Sequence, residues 1–400
     1  MKKMLFFLFF APLLFSLVSY QTSFGGGGKI VIKPTANVSW QMDSNFWRSQ
    51  ENEREVYSYL VQPGLIFGYE TDKSKIHLIY QLDGYVYSDR DTLSPGERKA
   101  SDDNYIGQRL TLAASTQIQE RLEIGLKEDF YYTRDQAQSD QFNDSVLRAK
   151  YYINRVEPFA VYKLSDSFTG EVRYRNTVTN YIDSNFEDSL ENRGLFDLAY
   201  TLSETSSLDL EYQVWKRSYS KNTSTYLSNE VMIGYDKRFR ILSLHAAVGY
   251  QHRSFDDETL ESISVIPWNV SARLETEKSS YVSIEAKQNF SDQGLSEAYY
   301  KAERFTLTAG YTFLERIPVE FWGYYQKSKY EFNYRDFSSS SRRDDDTYRA
   351  ELKVGYKFLR WFTVSLVPGY QKRDSNEDGL SYVDKTIKAE LSFQYDVGGK

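Results

Sequence analysis

Strict alternation of apolar and polar residues is the feature that most constrains how this chain can fold. Between Thr347 and Leu359 every second residue is apolar on one face: Leu352, Val354, Tyr356 and Phe358. After a short turn at Leu359-Arg360 the alternation resumes with Val364, Leu366, Pro368 and Tyr370. A period of two indicates β-strands, because successive side chains of a strand point to opposite sides. Strands with one apolar and one polar face suit a sheet that has lipid on one side and water on the other.

The same unit repeats along the chain, with connections of two alternating kinds. Short turns such as Glu70–Ser74 and Leu314–Arg316 alternate with longer polar loops such as Asp89–Asn104 and Asp135–Ser145. Tight turns at one end and longer loops at the other are typical of bacterial outer-membrane barrels. The sequence therefore predicts an all-β, transmembrane, antiparallel up-and-down barrel of about 18 strands, within a range of about 16 to 20, with both termini periplasmic.

Two prolines fall well inside predicted strands. Pro63 and Pro368 are flanked by alternating residues on both sides. Proline removes a donor from the hydrogen-bond ladder and is therefore found at strand edges, ends or bulges. We expect these two prolines to mark β-bulges.

Composition supports a barrel over a helical membrane protein or a soluble protein with a large apolar core. The chain has 34 Tyr and 25 Phe, so aromatic residues reach 16%, yet its mean hydropathy is low. Alternation reconciles the two, because it gives a continuous apolar surface without long apolar runs. There is no Cys, which excludes disulfides, thiolate metal sites and a lipoprotein anchor.

The N-terminus resembles an export signal. Met1-Lys2-Lys3 precedes an apolar run, Met4–Val18, that is too short to span a bilayer. We expect a signal peptide over residues 1–25, cleaved between Ser19 and Gly25, and then a flexible leader over 26–29. The barrel is predicted over 30–396 and a periplasmic tail over 397–400.

Short motifs give a family resemblance. The segments Ala36–Trp40, Asp43–Phe46 and Val61–Leu65 open the barrel, and Val367–Tyr370 echoes the last of them. This pattern resembles the putative β-barrel porin families of Gram-negative bacteria, particularly those found with exopolysaccharide-export and exosortase systems. The resemblance implies an outer-membrane barrel that passes a polymer or small hydrophilic solutes. It carries over no site residues.

If the apolar faces meet lipid, the polar faces line a lumen. The candidate pore-lining residues are Arg109, Lys127, Arg173, Arg175, Glu211, Trp215, Arg217, Arg273, Glu285, Lys287, Trp322 and Tyr324. One interpretation is a lumen of mutually compensating charges that can pair across adjacent strands. The other is a basic ladder for anionic solutes or acidic polysaccharide, begun by Arg173, Arg175 and Arg217, with the aromatic residues stacking on sugar rings.

The remaining function classes are narrowed by what the sequence contains. The sequence has only three His and shows no motif of a catalytic nucleophile, a zinc site or a phosphate-binding loop. It therefore gives no basis for predicting an enzyme or a cofactor. A net charge of −7 argues against nucleic acid. The expected partners are outer-membrane lipid and lipopolysaccharide, polysaccharide or small solutes, and further copies of the chain. The acidic loop segments Ser101–Asn104 and Arg342–Asp346 could hold divalent cations shared with lipopolysaccharide. The alternative function is a non-conducting barrel that serves as a surface scaffold or adhesin.

Overall fold

One antiparallel sheet contains every strand of the part of the chain that the structure describes. The computed structural model describes residues 28–134, 142, 149–182, 186–221, 224–276, 280–292, 298–332 and 343–396. The predicted signal peptide and tail lie outside these residues. The strands are β1 (Lys29–Asp43), β2 (Val56–Glu70), β3 (Ser74–Asp89), β4 (Tyr105–Gln119), β5 (Leu122–Thr133), β6 (Tyr151–Lys163), β7 (Phe168–Tyr181), β8 (Ser189–Ser203), β9 (Ser206–Tyr219), β10 (Tyr226–Arg238), β11 (Leu242–Phe255), β12 (Ile263–Val265), β13 (Trp268–Thr276), β14 (Ser280–Asp292), β15 (Ala298–Phe313), β16 (Ile317–Phe332), β17 (Asp344–Leu359), β18 (Phe362–Ser375) and β19 (Tyr382–Gln394).

The sheet closes into a barrel because its first and last strands pair. Val38 of β1 lies opposite Val61 of β2 on one side and opposite Leu391 of β19 on the other. β12 and β13 both pair with β11, on either side of a break at Ile266-Pro267, so together they occupy one position in the wall. The barrel is therefore 18-stranded and antiparallel, which confirms the predicted fold class. β1 begins at Lys29, one residue before the predicted start of the barrel.

Side chains alternate between the two faces of the wall as the sequence predicts. Val61 and Leu366 point outward and are 52% and 51% exposed, whereas Asp83 and Thr347 point inward and are fully buried. Apolar residues therefore cover the outer face and polar residues cover the inner face, which is the arrangement required by lipid outside and water inside. Within the described residues, no helix is long and apolar enough to span a bilayer.

The expectation that Pro63 and Pro368 mark bulges is wrong. The β2–β3 pairing is interrupted between Val61 and Gly64 but resumes in the same register. The β17–β18 pairing is interrupted near Pro368 in the same way. Each proline thus breaks one ladder locally while its other ladder continues. The missing N–H interrupts hydrogen bonding to one of the two neighbouring strands, and it does not require an inserted residue.

Side-chain packing inside the barrel is concentrated at the end that carries the longer loops. One cluster consists of Phe46, Val56, Tyr87, Ala100 and Tyr105, and it joins the β1–β2 and β3–β4 connections to the inner wall. A second consists of Phe142, Tyr300, Ala302 and Tyr330. The loops at this end are therefore packed against the lumen wall.

Candidate functional site

The lumen side of β6–β14 forms a charged surface, which we call the basic wall. It surrounds a cavity of ≈ 520 Å³. Its basic residues are Arg155, Arg173, Arg175, Arg193, Arg217, Arg253 and Lys287. Its acidic residues are Glu191, Asp209, Glu211 and Glu230. Up-and-down topology explains why they meet, because inward positions on consecutive strands become neighbours around the wall.

Six of the predicted pore-lining residues lie in this wall: Arg173, Arg175, Glu211, Trp215, Arg217 and Lys287. The Arg173 guanidinium lies 3.3 Å from the Glu171 carboxylate and donates a hydrogen bond of 3.2 Å to Glu211. Arg217 is buried and donates to the Ser189 hydroxyl at 3.3 Å. These contacts hold the cations at the wall.

Other predicted residues lie on the inner face but outside the cavity. Arg109 of β4 donates at 2.6 Å to the buried Asp83 carboxylate of β3. Lys127 of β5 lies 3.9 Å from Glu157 of β6. These two cations therefore pair with carboxylates of the neighbouring strand.

On β13 and β14 the predicted charges pair along the strand instead. The Arg273 guanidinium donates at 3.1 Å to Glu275, two residues away. The Lys287 ammonium lies 3.0 Å from the Glu285 carboxylate, again two residues away. The expected compensation of charge thus runs along strands as well as across them.

The predicted inward aromatics face arginines. The Arg193 guanidinium lies 4.2 Å from the centre of the Trp215 ring, and Arg304 lies 4.3 Å from the centre of Tyr324. Trp322 packs edge-on against Tyr324 at 5.4 Å. Cation–π contact occupies one face of a ring. Trp215 and Tyr324 are only 5% and 8% exposed, so neighbouring side chains cover their other faces as well, whereas Trp322 is half-buried.

Phe142 lies inside the lumen, far from the strands that flank it in sequence. It belongs to the predicted Asp135–Ser145 loop, whose other residues lie outside the described part of the chain. Its carbonyl accepts hydrogen bonds of 2.6 Å from the Tyr300 hydroxyl and 3.3 Å from the Gln326 amide. The β5–β6 connection is therefore anchored at this residue to β15 and β16.

The sequence interpretation missed several arginines of the lumen. Arg193 donates to Glu191 at 3.0 Å and to Gln213 at 2.9 Å. Arg253 is buried and donates to Ser228 at 2.9 Å. The alternation that could have found them is interrupted locally, because Asn192 and Gly194 flank Arg193, and His252 and Ser254 flank Arg253.

Asp103 and Asp345 are engaged within the barrel, although Asp102 and Asp344 beside them are exposed. Asp103 is 1% exposed and pairs with Arg98 and Arg134. The side chain of Asp345 is likewise 1% exposed and pairs with Arg343. A carboxylate held in this way is not presented to a cation on the outer surface, so the predicted divalent-cation role does not fit these two residues.

Comparisons with known proteins agree with this architecture. Residues 237–395 match the family model described as Putative beta-barrel porin 2. Over that stretch the chain is similar to β-barrel porins. The resemblance predicted from the sequence is therefore confirmed for the porin family. No curated protein matches the sequence.

Solved structures of porins share the fold over almost the whole chain. OccK7 (OpdD) of Pseudomonas aeruginosa superposes with a TM-score of 0.53 at 12% identity, covering 92% of this chain and 99% of that one. OccAB4 of Acinetobacter baumannii gives a TM-score of 0.50 at 12% identity, covering 93% and 99%. At this identity the similarity establishes the fold alone.

Proposed function

We propose that this protein is a water-filled, porin-like channel of the outer membrane of a Gram-negative bacterium, and that it favours anionic hydrophilic solutes. The long loops face the exterior and both termini face the periplasm. Transport is passive and needs no cofactor. The family match, the closed barrel and the polar inner face support this proposal.

The observation that carries the anion preference is the charge of the basic wall. Seven Arg and Lys side chains line the cavity itself together with four Asp and Glu side chains. Three further carboxylates, Glu171, Glu157 and Glu285, pair with three of these cations but do not line the cavity, so the excess belongs to the cavity surface. The whole chain has the opposite sign, with a net charge of −7. A local excess of one sign in a narrow aqueous path concentrates the opposite ion.

A second cavity in the lumen indicates that the excess of basic residues is local. A cavity of ≈ 240 Å³ near β17–β19 is lined by three basic residues, Arg48, Arg349 and Lys388, and three acidic residues, Asp43, Glu351 and Asp384. A charge-balanced surface of this kind keeps water in the lumen without selecting an ion. We therefore assign the preference for anions to the basic wall.

A link to acidic exopolysaccharide is the more specific form of the proposal. The sequence resemblance suggests it, and the half-buried Trp322 would contribute a ring face beside Arg349. Sugars with carboxylates match such a surface, because the guanidinium groups bind the acid and a ring packs on the C–H face of the sugar. Trp322 has only the face opposite Arg349 for this contact.

The decisive experiment is single-channel recording of the refolded full-length protein in a planar bilayer under a KCl gradient. We expect stable current steps from open channels and a reversal potential shifted toward the equilibrium potential of chloride. A cation-selective or unselective channel would refute the role given to the basic wall.

A non-conducting scaffold remains the alternative function. The observation in its favour is the aromatic packing that joins loops to the inner wall at the long-loop end, including buried Phe142. Absence of conductance from a barrel shown to be folded would favour this scaffold.

A further inference from the structure

A carboxylate lies on the outer face of the barrel near the middle of a strand. Glu128 is flanked on the same face of β5 by Leu126 and Phe130, while Asp129 points inward and accepts a hydrogen bond of 3.0 Å from Thr111. Carboxylates facing the hydrocarbon of a bilayer are costly and rare. The position therefore calls for a polar contact that the hydrocarbon cannot supply.

The register of the strands gives the depth of Glu128. It lies opposite Val156, and the same line across the sheet continues through Asn176 and Asn192 to Lys216. Strands about 4.8 Å apart and tilted by about 40° rise by roughly 3 Å per step along such a line. Lys216 pairs at 3.0 Å with Asp256, which follows β11 at the long-loop end. Glu128 thus lies about 12 Å below that rim, inside an apolar band about 25 Å tall.

Hydrogen-bonding groups accompany Glu128 on the same outer surface. The Tyr174 hydroxyl donates to the Asn192 amide oxygen at 2.6 Å, and the Asn176 amide donates to the same oxygen at 2.8 Å. The surface between them and β5 is the outer side of β6, where Val156 and Pro158 present short side chains. We call this area, from β5 to β8, the polar patch.

We propose that the polar patch is the contact surface for a second copy of this chain, arranged about a two-fold axis that passes over β6. A two-fold contact places β5 of each copy against β7 and β8 of the other. The Glu128 carboxylate, which only accepts, then meets Tyr174 and Asn176 of the second copy. The single hydroxyl proton of Tyr174 turns from Asn192 to the carboxylate, the second amide N–H of Asn176 is available as well, and Asn192 keeps its bond from Asn176. The short side chains of β6 let the two walls approach at the axis.

Self-complementarity is the reason to assign a second copy rather than another protein. The patch contains an acceptor on one side of β6 and donors on the other, so one surface supplies both halves of the contact. The inference requires that the barrel lies in a membrane, but it does not require that the barrel conducts.

The absence of Cys makes a direct test possible, because an introduced cysteine is the sole thiol. Val156→Cys places a thiol on the proposed axis, and Leu352→Cys places one on the outer face of β17, on the opposite side of the barrel. Both full-length variants are reconstituted at low density in lipid bilayers and treated with a short bismaleimide. We expect a cross-linked dimer with Val156→Cys and none with Leu352→Cys.

Glu128→Leu in the Val156→Cys background tests the carboxylate itself. We expect the dimer association constant to fall about tenfold, as for the loss of a hydrogen bond to a charged group, and Glu128→Gln to retain most of it. Folding of each variant is checked by its heat-dependent mobility on a gel. Three outcomes would overturn the proposal: equal cross-linking of the two cysteine variants, no cross-linking of either, or an undiminished dimer in Glu128→Leu. Single-channel recording of the same samples tests the channel function separately.

Discussion

Removing two charges from the basic wall should change ion selectivity by an amount that the structure allows us to work out. Arg173 and Arg175 both face the cavity from β7, and replacing them with Gln leaves five basic and four acidic residues around it. A unit charge acts on an ion about 8 Å away in water with about 0.5 kcal/mol, which screening at 0.15 M salt reduces to roughly 0.2 kcal/mol. Two charges act with opposite sign on anions and cations, so the difference is about 0.8 kcal/mol.

That difference corresponds to an anion-to-cation permeability ratio about fourfold lower in the double variant. The assay is the reversal potential of single channels in a KCl gradient near 0.15 M, repeated near 1 M, where the Debye length of about 3 Å should abolish the effect. The matched control is Arg349→Gln with Glu351→Gln, a pair in contact at 2.7 Å whose joint removal leaves the net charge unchanged. A folded Arg173→Gln, Arg175→Gln channel with an unchanged ratio near 0.15 M would refute the reasoning.

Two further predictions concern the packing at the long-loop end. Phe142→Ala should remove about 3–5 kcal/mol of packing from the β5–β6 connection and raise the single-channel conductance. Tyr300→Phe removes only the hydroxyl donor and should have a smaller effect on conductance. Equal conductance in both variants and the wild type would contradict the anchoring role of Phe142. Asp345→Asn should lower the unfolding free energy by about 3–5 kcal/mol, because it leaves the Arg343 guanidinium without its buried partner. Asp346→Asn only replaces the charged acceptor of the Tyr325 hydroxyl by a neutral one, at a cost of about 1 kcal/mol. Similar urea-unfolding midpoints for these two variants would be evidence against the difference in burial.

The barrel could be predicted from the sequence because its determinants are local. The alternation in β17 and β18 assigns each side chain to a face, and a one-residue error would turn every side chain of the strand to the wrong side. The same local rule placed Arg173, Arg175 and Arg217 on the lumen face. Neighbouring strands then brought them into one cavity, since the connections along this part of the chain are short.

The contacts that fill the lumen could not be predicted in this way. Phe142 bonds to Tyr300, which is 158 residues further along the chain, and nothing in the loop sequence encodes that partner. The arginines that cover Trp215 and Tyr324 are also tertiary neighbours, because Arg193 and Arg304 belong to adjacent strands. Alternation specifies the face of a side chain but not which group it contacts across the lumen.

Pairing along single strands explains how a chain of net negative charge can carry a basic wall. Three ion pairs join residues that are two positions apart on one strand, so both members of each pair face inward. They are Arg173 with Glu171, Arg193 with Glu191 and Lys287 with Glu285. Such a pair contributes no net charge to the lumen wherever its strand lies. The sign of a wall is then determined by inward charges whose contacts are with uncharged groups of a neighbouring strand, as in the bond from Arg253 of β11 to Ser228 of β10. Ion preference can therefore change by substitution on one strand while the compensating pairs, and with them the water-filled barrel, stay in place.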